Sequence, residues 1–221
     1  MRQFGVSDFR RTSIDAPANT FLRLAGPPEF TTTCVLPALA ALVQSGLRLE
    51  VTLGRPAEML LDGLNDGKYD LVVSTVPPDS ADFTVTELFR EEFVLVAAPA
   101  VASRVTGSGA QALEGLPLIA YSDDRPLIRR YWRDVFGEEP VTAPAAVVPD
   151  LRGVLSLTVA GAGFTVLPRY LCRRELANGA LVSLMEPATP PANTIFLATK
   201  GPGNDTVAGA CRTLLESAPG W

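Results

Sequence analysis

The chain has 221 residues, 47% of them apolar and 19% charged, a globular composition that suits one large domain or two small ones. Its net charge is −5 and its arginines lie in short groups with acidic neighbours, which argues against the basic face of a DNA-binding domain. Histidine is absent, so the usual general base of hydrolases and the commonest zinc ligand are missing.

Residues 1–19 show no sustained periodicity and are predicted to be a flexible tail. No apolar run approaches the roughly 18 residues of a membrane span, and the start of the chain lacks a signal-peptide pattern, so a cytoplasmic protein is expected. The three cysteines, Cys34, Cys172 and Cys211, are far apart and are predicted to be small buried side chains.

From residue 21 onward, predicted strands alternate with predicted helices. In the first series, strands are predicted over residues 21–26, 47–53, 69–74 and 92–98, and helices over 33–45 and 56–65. Pro37 fits the first helix only if it lies in the opening turn, where its missing N–H costs little. A stretch rich in Gly, Ser and Ala follows over residues 100–109.

The second series repeats this alternation. Strands are predicted over 118–121, 145–148, 164–167, 181–184 and 194–198, and helices over 127–135, 151–158, 170–176 and 207–215. The alternation indicates parallel α/β sheets. Breaks near Pro99 and Pro191 predict two lobes, residues 20–98 with 194–221 and residues 99–193, with a ligand cleft between them.

Several motifs together carry a family resemblance. They are Leu36-Pro37, the run LLDGLNDGKYDLVV at 60–73, LFREEFVLV at 88–96, LIAYS at 118–122 and VAGAGFTVLP at 159–168. In this order and spacing, the sequence resembles the effector-binding domain of LysR-type transcriptional regulators. The resemblance implies an α/β fold of two lobes joined by a two-strand hinge, like type 2 periplasmic binding proteins. It also implies a small-molecule effector in the cleft and a homodimer.

The finer pattern around Phe30–Pro37 and Val148–Leu151 is similar to the nodulation and aromatic-degradation regulators, which implies an aromatic or similar planar effector. The family's winged helix-turn-helix is not recognisable before Phe21. DNA is therefore expected to be bound only through a domain absent from this chain, and the chain is expected to be either a truncated regulator or a free-standing member. No cofactor or metal is predicted.

One group of candidate ligand-binding residues lies between the first strand and the first helix: Glu29, Phe30, Thr31 and Thr32. Free N–H groups and hydroxyls at a helix start can hold a carboxylate or phenolate. Simple N-capping by a threonine is an equal alternative. Glu29 opposes an anion there and would favour a ligand with a donor group.

The other candidates also follow predicted strands. They are Thr75 and Val76, where family members often touch the effector, then Ser122 and Asp123, Pro149 and Asp150, and Phe164 and Thr165. Turn chemistry is the stronger interpretation for Asp123, helix capping for Asp150 and core packing for Phe164, although that ring could stack on an aromatic effector.

Two other functions stay open at this point. A stand-alone solute receptor or regulatory partner would never contact DNA. An enzyme on the same fold, such as a lyase acting on an aromatic acid, would need Glu29, Asp123 or Asp150 as an acid or base with a raised pKa.

Overall fold

The structure is a computed structural model that describes residues 20–78, 81–201 and 203–221. The predicted tail over residues 1–19 lies outside the described residues. Strands in the described part are β1 (Phe21–Gly26), β2 (Arg48–Leu53), β3 (Leu71–Ser74), β4 (Phe83–Ala97), β5 (Leu118–Ala120), β6 (Pro144–Val147), β7 (Phe164–Pro168), β8 (Val182–Ser183) and β9 (Ala192–Lys200).

The helices of the described part lie between these strands and after them. They are α1 (Pro28–Phe30), α2 (Leu36–Ala38), α3 (Ala40–Gln44), α4 (Ala57–Asn65), α5 (Pro99–Ala102), α6 (Pro126–Tyr131), α7 (Leu151–Val159), α8 (Arg169–Ala177) and α9 (Asp205–Ser217). Wide π turns at Thr31–Val35 and Trp132–Phe136 extend α1 and α6, and 3₁₀ turns lie at Ala110–Leu113 and Ala218–Gly220. Among the described residues, no helix combines the length and the apolar character needed to cross a membrane.

The strands form two sheets that share β4, in the order β2-β1-β3-β9-β4-β7-β5-β6, with β8 pairing β4. The pairs of β1 with β2 and β3, and of β5 with β6 and β7, are parallel. Strand β9 runs antiparallel to β3 and β4, and β4 runs antiparallel to β7. The α/β prediction is confirmed, with antiparallel strands where the sheets join.

Strand β4 crosses from one sheet to the other. Its first part, Phe83 to Glu92, pairs with β9, and its last part, Phe93 to Ala97, pairs with β7. The change of partner therefore lies between Glu92 and Phe93, inside the range that the sequence assigns to the first lobe. Only the buried second half was recognisable as a strand from the sequence, because residues 84–87 are exposed.

The helix predicted over 33–45 is longer and less regular than expected. Helical structure begins at Pro28, and Pro37 lies well inside the run, so its placement in an opening turn was wrong. A π turn immediately precedes this proline, with the Leu36 N–H bonded to the Thr31 carbonyl. Because proline has no N–H and its ring crowds the preceding turn, a wider turn at this point lets the helix continue.

Each sheet packs on its own helices. Leu22 and Leu24 of β1 are fully buried under the first helical run and α9, and Leu95 of β4 is buried with α6 in the second core. Cys34 and Cys172 are buried free thiols, and burial raises the pKa of each to about 12. These two match the predicted core role, whereas Cys211 is only partly buried.

Candidate functional site

A cavity of about 660 Å³ lies where β4 and β9 pass between the two sheets. This volume is within the usual range for small-molecule sites. The cavity is lined from both sheets by loops and helix starts, by Glu91 and Phe93 of β4 and by Asn193 of β9. The cleft expected from the two-series pattern is therefore present at the strand crossover.

Glu29 connects the two sides of this cleft. It lies in α1, which follows β1, and its Oε1 accepts a hydrogen bond from the backbone N–H of Leu151 at 3.2 Å. Leu151 opens α7, where Asp150 caps the helix by accepting from the Arg152 N–H at 2.8 Å. Carboxylates of the chain itself thus meet the free N–H groups at the start of α7, where the helix dipole favours negative charge.

Glu91 forms part of the cavity floor and is only 7% exposed. It faces Asn193 across the β4–β9 pair, and the Tyr170 hydroxyl and the Asn193 amide donate hydrogen bonds to its carboxylate. Burial raises the pKa of Glu91 to about 7, although these two donors and the more distant Arg130 oppose the rise. Near neutral pH the cleft therefore contains a carboxyl group that readily gains or loses a proton.

Arg130 contributes positive charge to the cavity from α6, and Arg55 lines the cavity from the segment between β2 and α4. The Arg130 guanidinium carbon lies 5.8 Å from the centre of the Phe93 ring, a cation–π distance. Its buried Nε has no hydrogen-bond partner among the described residues, and the Asp134 Oδ2 lies 3.7 Å away. A planar guanidinium with an unused donor is suited to bind a carboxylate.

Aromatic rings pack beneath the cleft. Phe30 is 1% exposed; its ring centre lies 5.6 Å from that of Phe89 and 5.2 Å from those of Tyr170 and Trp221. Phe30 and Tyr170 also line the cavity, so the apolar part of its wall is anchored in the core. Tyr121, from the other sheet, is 39% exposed and adds a ring at the surface of the cleft.

Of the residues proposed from the sequence, four line this cavity: Glu29, Phe30, Thr75 and Pro149. The Thr75 carbonyl accepts a hydrogen bond from the Asn193 side chain at 3.2 Å, which fixes the first strand end against β9. Few backbone N–H groups are free at residues 29–32 to bind an anion, contrary to the expectation from the sequence. Pro27 and Pro28 have no N–H, and the Thr31 N–H bonds to the Pro27 carbonyl.

The other candidates lie outside the cavity lining. Thr31 is fully buried, and the Thr32 hydroxyl bonds back to the Pro28 carbonyl at 2.7 Å. Val76 forms a small turn with Ser74. Asp123 is exposed beside Ser122, whose buried Oγ has no partner among the described residues.

The remaining three candidates have local structural contacts. Asp150 caps α7 and pairs with Arg152, which lowers the pKa of the carboxyl to about 2. Phe164 is fully buried and stacks near Trp132 at 6.3 Å. The buried Thr165 hydroxyl donates to the Ile119 carbonyl at 2.7 Å.

Sequence reasoning missed the charged centre of the cleft, Glu91 with Arg130, and also Asn193 and Tyr170. One signal for Glu91 was present in the sequence. Phe89, Glu91 and Phe93 alternate on a strand, so an acidic residue shares one face with two aromatic residues. A carboxylate on an otherwise apolar strand face is uncommon unless it is paired or functional.

Two α/β sheets joined by a pair of crossing strands, with a charged cavity where they meet, are the architecture of two-lobed small-molecule receptors. The family profile described as "LysR substrate binding domain" matches residues 17–218. The chain therefore belongs to this family, and the resemblance inferred from the motifs is confirmed.

Curated relatives are transcriptional regulators. The chain is 46% identical over 194 residues to the HTH-type regulator AbaB of Streptomyces antibioticus, covering 84% of this chain and 64% of that protein. It is 25% identical over 169 residues to ArgP of Vibrio parahaemolyticus, covering 74% of this chain and 55% of that protein. The chain thus spans less than two thirds of the length of these relatives.

Solved structures share the fold. The C-terminal domains of a LysR family protein from Agrobacterium tumefaciens match with a TM-score of 0.78 at 22% identity, covering 91% of this chain and 97% of that one. Full-length LysG from Corynebacterium glutamicum with bound effector Arg matches with a TM-score of 0.71 at 18% identity, covering 91% and 68%. At these identities the likeness shows the two-lobed fold alone.

Proposed function

We propose that this chain is the effector-sensing domain of a LysR-type transcriptional regulator and that it binds a small carboxylate-bearing molecule in the cleft. The observation that carries this proposal is the position of Arg130, whose side chain lines the cavity at the strand crossover and makes no hydrogen bond through its Nε among the described residues. Binding there would contact both sheets and so bias the angle between them.

The aromatic and proline side chains that line the cavity favour a ligand with a planar or apolar part. Phe93, Tyr121 and Tyr170 present rings to the cavity, and prolines at 126, 149 and 168 add rigid apolar surface. Aromatic rings contribute both buried area and stacking. An aromatic acid would place its carboxylate on Arg130 and its ring among these side chains.

The relatives support the regulatory role. We propose that ligand binding changes the lobe angle, that this change passes to a homodimer, and that DNA is contacted through a winged helix-turn-helix outside the described residues. A regulator of transcription acts on chromosomal DNA, so we propose a cytoplasmic location. We further propose that the chain is not a catalyst, because its relatives are regulators.

A thermal-shift screen with benzoate, 3-phenylpropanoate and salicylate tests the proposed function. A ligand that binds only the folded state raises the melting temperature by mass action. Arg130→Gln should abolish the shift, whereas Arg129→Gln should preserve it, since Arg129 is exposed and pairs with Glu139. Equal shifts in both variants would contradict a carboxylate site at Arg130.

Recovery of the probe after incubation tests the absence of catalysis. Chromatography of the incubated mixture should return each carboxylate unchanged. Consumption of a probe would contradict the sensor assignment and support an enzyme on this fold.

A further inference from the structure

We propose that the effector of this cleft also carries a protonated nitrogen that pairs with the Glu91 carboxylate, so that the effector class is amphoteric. This inference rests on the proposed effector-binding function and deepens it. An amine or amidine would sit on the cavity floor, and the ligand carboxylate would meet Arg130 on the α6 side.

The first observation is that the Glu91 carboxyl group is buried and forms no ion pair with the described residues. Glu91 is the one carboxylate, ammonium or guanidinium group among the buried side chains of the described residues. Arg and Lys side chains form ion pairs with other acids of the described chain, but none pairs with Glu91. Removing a carboxylate from water is costly unless a cation or several donors compensate.

The immediate partners of Glu91 are neutral. The Tyr170 hydroxyl and the Asn193 amide donate hydrogen bonds, and the Asn193 amide also donates to the Thr75 carbonyl. Donors of this kind orient a carboxylate but supply no positive charge. The Glu91 carboxylate therefore lines the cavity and has no ion-pair partner among the described residues, although the charge of the more distant Arg130 acts on it.

The surroundings favour a cation over a second anion at this point of the floor. Glu29 lies near enough for its negative charge to act on Glu91. Rings of Phe30, Phe93 and Tyr170 surround the same part of the cavity, and aromatic faces attract a cationic nitrogen. The two carboxylates and the aromatic rings therefore both favour a cationic nitrogen on the ligand.

The cavity also carries charged groups of both signs, with Arg55 on the same side as Glu29. Glu91 lies on the shared strand β4, Glu29 belongs to the first sheet's side, and Arg130 extends from α6. A ligand with a cationic and an anionic end can satisfy both groups at once, which a simple carboxylate cannot. Compact amino acids and their close analogues have this chemistry.

Matched probe sets separate the two ligand charges. In each set one molecule has both charges, one has only the amine and one only the acid: L-phenylalanine, 2-phenylethylamine and 3-phenylpropanoate, then L-leucine, 3-methylbutylamine and 4-methylpentanoate. Isothermal titration of the full chain at millimolar probe should show at least about tenfold tighter binding of an amino acid than of the acid lacking its amine.

Substitutions of Glu91 and of its neighbour Glu92 test whether Glu91 binds the ligand amine. Glu91→Gln should weaken binding of the amino acid by about tenfold or more and leave the acid-only probe within about twofold. Glu92→Gln is the matched control, because this neighbour is more exposed and pairs with Arg90. The control should bind every probe like the parent chain.

The number of protons released on binding distinguishes a ligand contact of Glu91 from a purely structural role. At pH 7 the binding of a cation to Glu91 should release protons, visible as a dependence of the titration heat on the buffer, and the Gln variant should lose this release. Acid-only probes that bind as tightly as amino acids overturn the inference and leave the proposed function intact. Failure of all six probes to bind overturns both.

Discussion

The Glu29 carboxylate accepts the backbone N–H of Leu151 across the cleft at 3.2 Å, although the two residues are 122 positions apart in the chain. Glu29 follows the first strand of one sheet, whereas Leu151 opens a helix packed on the other. The contact therefore bridges the two sides of the cavity, which both residues line. Any ligand that opens or tightens the cleft must alter this hydrogen bond.

We predict that Glu29→Ala weakens this contact between the two sides of the cavity. A hydrogen bond to a charged acceptor contributes about 1.5–3 kcal/mol, so amide exchange at Leu151 should quicken by roughly tenfold or more. Glu29→Gln retains a carbonyl acceptor and should have a smaller effect. The exchange rate of the Leu151 amide, followed by NMR, measures the change.

Glu58→Ala is the control for this experiment. Glu58 is an exposed acid of α4 outside the cavity lining, and its removal should leave Leu151 exchange unchanged. Equal exchange in Glu29→Ala and the parent chain would show that the Glu29 carboxylate does not protect the Leu151 N–H.

We predict that Asp150→Ala destabilises the protein by about 1 kcal/mol through loss of the α7 cap. Asp150→Asn keeps an acceptor for the Arg152 N–H and should cost much less. Urea unfolding at pH 7 measures both. The lowered pKa of Asp150, about 2, means that its charge stabilises the fold above about pH 4 and that this stability is lost as pH falls towards 2.

The pH series distinguishes capping from a general surface effect. The stability gap between the parent chain and Asp150→Asn should shrink as pH falls towards 2. A gap that stays constant with pH would contradict a role for the carboxylate charge.

Local sequence signals were sufficient to predict helices that have a capping residue or a glycine at one end. Asp150 marks the start of α7, and Asn178 with Gly179 marks the end of α8 at Ala177. Side-chain capping and a left-handed glycine act within a few residues, so the sequence shows them directly. The alternation of such elements was enough to predict the α/β class.

Elements governed by distant contacts were harder to predict. The exposed part of β4 is a strand because β9 pairs with it, more than a hundred residues later in the chain. Pro37 indicated a helix start, yet packing continues the helix through a π turn. For β4 a partner remote in sequence overrides the local preference, whereas at Pro37 a wider local turn accommodates the proline.

The candidate site shows the same division. Glu29 and Thr75 follow predicted strands, and both line the cavity. Their position was predictable because the loops at the ends of neighbouring parallel strands converge. Glu91 and Arg130 lie inside a strand and a helix, where local sequence indicates only structure. Their juxtaposition depends on β4 crossing between sheets, which no local pattern records.

We predict that Phe30→Ala costs about 3–5 kcal/mol of folding stability, because the fully buried ring packs on three other aromatic rings. Phe21→Ala is the matched control, since this ring is 39% exposed. Its loss should cost far less. Chemical denaturation of both variants measures the difference, and similar costs would contradict a core role for Phe30.

We predict that Glu91 makes the stability of the unliganded protein fall as pH rises. The pKa of Glu91 is raised from 4.5 to about 7 by burial, so the folded state binds this proton more tightly than the unfolded state. Its contribution is fully present below about pH 4.5 and is lost as pH rises through about 7. The shift corresponds to about 3 kcal/mol over this window.

Glu91→Gln should remove this loss and should be the more stable protein at pH 8. The groups that act on Glu91 are Tyr170 of α8, Asn193 of β9, Arg130 of α6 and Glu29 of α1, with Cys34 of the π turn also close. All of them remain in the Gln variant, so the difference between the two unfolding curves isolates Glu91. A difference that does not change between pH 4.5 and 8 would show that the carboxyl does not titrate in this range.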